Sequence, residues 1–193
     1  MTSSDHPSRF ARATLATLPA ALLLLCAWSV PAFADGGEPE VVITADGTVE
    51  GVVVVGAPPD RVRAYIADIA MTRKLAKDVV SVDVVKDGGC ELVTTYASSF
   101  IDVTYVARRC PTETGWIETL LESEQFADYY AEWFIAPVSN GIELRFRLRT
   151  DLDMPVPARL VRGALKRSVM GTLVAIQADL GGPHDPPDRV AQP

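Results

Sequence analysis

Residues suited to bond-making chemistry are scarce in this chain. Its two histidines are His6 and His184, one near each end. A serine–histidine–acid relay or a histidine-rich metal site therefore has little to draw on. Gly-x-Ser-x-Gly, His-Glu-x-x-His and the phosphate-binding glycine patterns are all missing. Two acid pairs stand close in sequence, Asp128 with Glu132 and Asp151 with Asp153. They read as solvated surface charge, because Asp and Glu are rarely buried. Arg108 and Arg109 read the same way. An inward Arg109 would need a partner, such as the acidic head group of a ligand. Cys90 and Cys110 are too far apart for a Cys-x-x-Cys redox motif. No catalytic, metal-ligating or cofactor-binding set is expected.

The first 34 residues read as a secretory signal peptide. Arg9 and Arg12 open it, Leu22 to Leu25 centre its apolar stretch, and Ala32-Phe33-Ala34 offers a small-x-small cleavage site. Pro19 and Pro31 bracket a core shorter than the roughly 20 apolar residues of a membrane span. Cleavage after Ala34 would leave 159 of the 193 residues, enough for one domain with a real core. The chain's formal net charge is −7, and it becomes −8 once Arg9, Arg12 and Asp5 are removed. So acidic a chain does not fit general nucleic-acid binding. The expected location is periplasmic or secreted, where Cys90 and Cys110 could pair. The rival is two buried thiols.

The elements that would position any site follow from hydrophobic period. Residues 35–47 form a lead-in, in which Val41 to Thr44 is either a strand start or plain connection. Val52 to Val55 is a β-branched run in a first strand, Thr48 to Val55. Gly56-Ala57-Pro58-Pro59-Asp60 ends it. Val62, Tyr65, Ile66 and Ile69 then fall on one helical face, and Met71 to Lys77 forms a second short helix. Strands follow at Val79–Val85, Glu91–Ser98, Asp102–Arg109, Trp116–Glu122, Tyr129–Pro137 and Ile142–Thr150. The short connections between them imply an antiparallel meander. A long helix, Val156 to Leu180, ends at Gly181-Gly182-Pro183, and the tail is expected to be disordered.

A hairpin about Phe100 sets residues whose numbers sum to about 200 opposite one another. Cys90 and Cys110 satisfy that, which favours a bond between them. Such a loop could contribute roughly 3 kcal/mol in the chain-entropy view. Charge then assigns faces. In the closing strand Glu143, Arg145, Arg147 and Arg149 alternate with Ile142, Leu144, Phe146 and Leu148. Glu132 puts Tyr129, Ala131, Trp133 and Ile135 inside. Glu118 and Glu122, taken as outward, put Ile117, Thr119 and Leu121 inside. Leu92, Thr94 and Tyr96 share a face opposite Glu91 and Thr95. The mixed inner face fits a cavity with a few placed polar groups, or an ordinary core whose hydroxyls find backbone partners.

Taken together, the strand-to-helix entry Glu50 to Val62, the Ile66-Ala67-Asp68 step, the Trp133-Phe134-Ile135-Ala136-Pro137 strand before an Asn-Gly turn, and the proline entry to the last helix resemble the START-like (SRPBCC, Bet v 1-like) superfamily. The polyketide cyclase/dehydrase and coenzyme-Q-binding branches are nearest, over residues 48–180. The resemblance implies an α+β helix-grip fold. A seven-stranded curved antiparallel sheet would wrap a long C-terminal helix, with two short helices after the first strand. It also implies a cavity for a lipid, quinone, sterol or polyketide-like molecule, and carries no universal catalytic residue. Export and a cysteine pair depart from the family's usual cytoplasmic setting.

The expected cavity lining is Tyr65, Ile69, Tyr96, Tyr105, Thr119, Tyr129, Trp133, Phe146, Leu165, Val169 and Thr172. The favoured function is a non-catalytic carrier or receptor for a hydrophobic small molecule outside the cytoplasm. A cyclase- or dehydratase-type enzyme using the same cavity is the alternative, and a ligand-free interaction module is a third. Arg159, Arg162, Lys166 and Arg167 read as a solvated helix face, though they leave room for a transient contact with an anionic membrane surface.

Overall fold

The computed structural model describes residues 37–98 and 101–183. The expected leader, the hairpin corner at Phe100 and the tail from His184 onward fall outside the described residues. Chain order is β1 (Glu40–Ile43), β2 (Val49–Val55), α1 (Pro59–Ala67), α2 (Ile69–Leu75), β3 (Val79–Asp87), β4 (Cys90–Ser98), β5 (Asp102–Pro111), β6 (Gly115–Ser123), β7 (Phe126–Val138), β8 (Gly141–Leu152) and α3 (Ala158–Leu180).

Strands β3 to β8 form the expected meander. The valine-rich β2 joins it beside β8, which gives the order β1-β2-β8-β7-β6-β5-β4-β3. The sheet therefore has eight strands among the described residues rather than seven. The extra strand is β1, from the lead-in, whose Val41 is buried and whose residues pair antiparallel with β2.

The helix pair is set by local chemistry. Pro59 opens α1 where no N–H is needed, Asp60 sits in its first turn, and Val62 and Ile66 are buried beneath it. Asp68 separates the helices. Its backbone is extended, its N–H still bonds the carbonyls of Ala64 and Tyr65, and its carboxylate accepts the N–H of Ala70 at 2.9 Å. One residue thus ends α1 and caps α2, so the break falls at Asp68, ahead of Ile69.

Between β4 and β5 the paired residues run from Glu91 with Arg109 to Ser98 with Asp102, each pair summing to 200. Cys90 and Cys110 continue that register and form a disulfide with Cα atoms 4.3 Å apart.

Helix α3 lies across the concave face, closest to β2. Leu173 and Ile176 are fully buried there with Val49, Val53, Val55 and Leu144. Gly51 makes the close approach feasible. A Cβ at that position would come within 2.5 Å of Leu173 and 2.8 Å of Val169. At the helix end the Gly56 N–H donates to the Gly181 carbonyl at 3.0 Å. The convex face carries the charges expected of it. Arg145 and Arg147 pair with Glu50, Glu143 and Glu132, and Arg149 pairs with Asp128 at 2.8 Å.

Candidate functional site

Toward its N-terminal half α3 no longer touches the sheet closely, and a cavity of about 280 Å³ opens between them. Its roof comes from Val161, Leu165, Val169 and Thr172 of α3. Its floor comes from the inner faces of β5 to β8. Leu75 and Ala76 close one side, at the end of α2. It reaches the surface beside Asp78 and Ser168, both exposed.

Aromatic rings hold the floor in place. Trp133 and Phe146 face each other across β7 and β8 and stack with centroids 4.2 Å apart. Tyr105 meets Tyr129 at 4.8 Å and the edge of Phe126 at 5.3 Å. Offset and edge contacts of this kind add stability beyond burial alone.

A polar seam crosses this floor. The Tyr129 hydroxyl donates to the Glu118 carboxylate at 3.2 Å, and Tyr105 packs against Tyr129 with Thr95 opposite it on β4. Glu118 also pairs with Arg109 at 3.1 Å. Burial raises the Glu118 carboxyl above its ordinary range, and the Arg109 charge opposes that rise without cancelling it. Burial, reinforced by Glu118, raises both tyrosine hydroxyls as well. They remain protonated donors at any physiological pH.

Arg109 sits behind the wall with only 4% of its side chain exposed. It bonds the carbonyls of Ile66 and Ala67 at the end of α1, pairs with Glu91 at 3.7 Å, and lies over the Trp116 ring. The expectation of a surface Arg109 is thus corrected. Its partners are the chain's own acids and a helix end. Arg108 is exposed and pairs with Asp87, as surface charge should.

Seven of the expected lining residues border the cavity: Tyr105, Tyr129, Trp133, Phe146, Leu165, Val169 and Thr172. Four are placed elsewhere. Thr119 is exposed on the outer face, because β6 turns Trp116, Glu118 and Leu120 inward instead. Tyr96 points outward, because β4 buries Val93 and Thr95. Tyr65 reaches sideways to donate to Asp179 at 2.6 Å, next to the Lys74–Asp179 ion pair. Ile69, at the start of α2, is half-buried and stops short of the cavity, which α2 meets only at its far end. Glu118 is the main residue that sequence reasoning missed. The signal was available: Tyr105 and Arg109 share a parity, and Arg109 inside needs an acid beside it.

Among the described residues no group of three or more His, Cys, Asp or Glu is arranged to hold a metal. Arg159, Arg162, Lys166 and Arg167 are all exposed on α3.

Against known proteins, the family described as polyketide cyclase/dehydrase and lipid transport matches residues 46–181. No curated protein matches the chain by sequence. Solved structures share the fold. A START superfamily protein from Mycobacterium smegmatis aligns with a TM-score of 0.61 at 13% identity, covering 69% of this chain and 96% of that one. The ZhuI aromatase/cyclase from Streptomyces sp. R1128 aligns with 0.57 at 18%, covering 69% and 92%. A STAR-related lipid transfer protein from Xanthomonas axonopodis aligns with 0.57 at 16%, covering 76% and 99%.

Proposed function

Because the chain belongs to the polyketide cyclase/dehydrase and lipid transport family, we propose that it is a non-catalytic carrier for a hydrophobic small molecule, acting outside the cytoplasm. The observation that carries this reading is the cavity itself: a space of about 280 Å³ walled by Trp133, Phe146, Leu165 and Val169. Ligand sites are mostly apolar with a few convergent polar groups, and here those are Tyr105, Tyr129 and Glu118. The signal-like leader and the Cys90–Cys110 bond support the location, since disulfides persist in oxidising compartments.

The test is native mass spectrometry and organic extraction of the protein purified from its own host. A stoichiometric hydrophobic guest, chemically unchanged on release, is expected. A protein that emerges empty and binds nothing from a panel of lipids, quinones and sterols would overturn the carrier.

A second reading is favoured by one observation, the inward Glu118 with its raised pKa beside two tyrosine donors. Groups so placed suit general acid–base work in a cyclase or dehydratase. A guest returned as a different compound, with conversion lost in Glu118→Gln while binding persists, would select the enzyme.

A further inference from the structure

We propose that the cavity selects uncharged hydrophobic molecules bearing a hydroxyl or carbonyl group and rejects carboxylates, with Glu118, Tyr129 and Tyr105 as the selecting residues. This rests on the reading above that the cavity holds a small molecule. Two of its lining residues are acids, Glu118 and Asp78, and no Lys, Arg or His lines it among the described residues. The cation behind Glu118 is Arg109, which already serves Glu118, Glu91 and the carbonyls of Ile66 and Ala67. Turning it toward a guest would take the cationic partner from Glu118 and the donors from a helix end, a heavy penalty for buried groups, while Glu91 would keep Lys86.

A carboxylate entering the cavity would lose its hydration and find no positive charge. An ionised Glu118 would repel it. A protonated Glu118 would offer one hydrogen bond and no charge. A neutral hydroxyl fares differently, because it both donates and accepts. Glu118 and the Tyr129 oxygen, whose own proton goes to Glu118, can accept from it, and the Tyr105 hydroxyl can donate to it. Thr150 is paired with Tyr129 across β7 and β8, and its buried hydroxyl has no hydrogen-bond partner among the described residues. A guest's hydroxyl or carbonyl reaching Thr150 would satisfy a group that is otherwise costly to leave unbonded.

The test uses the full chain with its disulfide intact and two probes sharing one apolar body, 2-naphthol and 2-naphthoate. Each displaces the neutral dye N-phenyl-1-naphthylamine near neutral pH. Naphthol is expected to bind at least about tenfold tighter, a difference near 1.4 kcal/mol. Glu118→Gln keeps the shape and should narrow that gap by strengthening naphthoate. Tyr129→Phe keeps the ring and should weaken naphthol alone, which leaves the selectivity open to refutation if the Gln variant does not fold. Equal binding of both probes by the wild-type chain overturns the selectivity and leaves the carrier standing. Failure of the dye itself to bind overturns the cavity reading and the selectivity with it.

Discussion

Helix α3 meets the sheet in two different ways along its length. In its C-terminal half, Leu173, Ile176 and Leu180 are buried against the sheet, and Gly51 removes the side chain that would hold the helix away. In its N-terminal half, Leu165 and Val161 face Tyr129, Trp133 and Phe146 across open space. Val169 stands at the crossover, next to Gly51 on one side and lining the cavity on the other. One helix and one sheet thus give a dry core and a cavity. What differs is side-chain size on the floor: glycine and valine on β2, large aromatics on β7 and β8. The dry half fixes the helix, and the aromatic half then cannot close beneath it.

The largest expected effect breaks this contrast directly. Leu173→Ala should destabilise by about 3 kcal/mol, within the range for emptying a filled core site. Leu165→Ala, which only enlarges an existing space, should destabilise by about 1 kcal/mol or less. Urea denaturation of both variants reads the difference, and equal losses would mean that the two halves are equally packed.

A smaller effect concerns the turn that leads β1 into β2. Asp46 accepts from the Thr48 hydroxyl at 2.9 Å and from the Thr44 hydroxyl, and these bonds lower its pKa from 3.8 to about 2. A group with a depressed folded-state pKa stabilises above its unfolded value and loses that contribution as pH falls. Asp46→Asn should therefore lower the urea midpoint slightly at neutral pH. The gap from wild type should close between about pH 4 and pH 2. A gap that persists unchanged through that window would show that the carboxylate does not act this way.

Much of the fold was legible because single residues forced it. Pro59 and Asp60 set the start of α1, and the alternation of Ile142 to Arg149 set the faces of β8. The site was legible wherever charge and face agreed, as for Trp133 and Phe146. It failed on β4 and β6, where acids were assumed to mark the outside. Glu91 and Glu118 lie inside because one buried arginine reaches both, with Lys86 adding a second positive charge at Glu91. The register held the correction. Tyr105 stands opposite Thr95, so Tyr96 could not share its face. Arg109 stands opposite both Glu91 and Glu118. Tyr65 was lost for another reason. A helix face does not reveal that its tyrosine will reach across to Asp179, 114 residues away in sequence.

The proposed carrier function depends on the space between α3 and the aromatic floor being open to a guest. The most direct measurement compares binding of N-phenyl-1-naphthylamine to the wild-type chain and to Ala164→Trp, whose new indole would project from α3 into the cavity. Bright, blue-shifted fluorescence is expected for the wild type, and its loss in a variant whose melting temperature is little changed. Equal fluorescence from both chains would place the dye elsewhere and contradict a guest-accepting cavity.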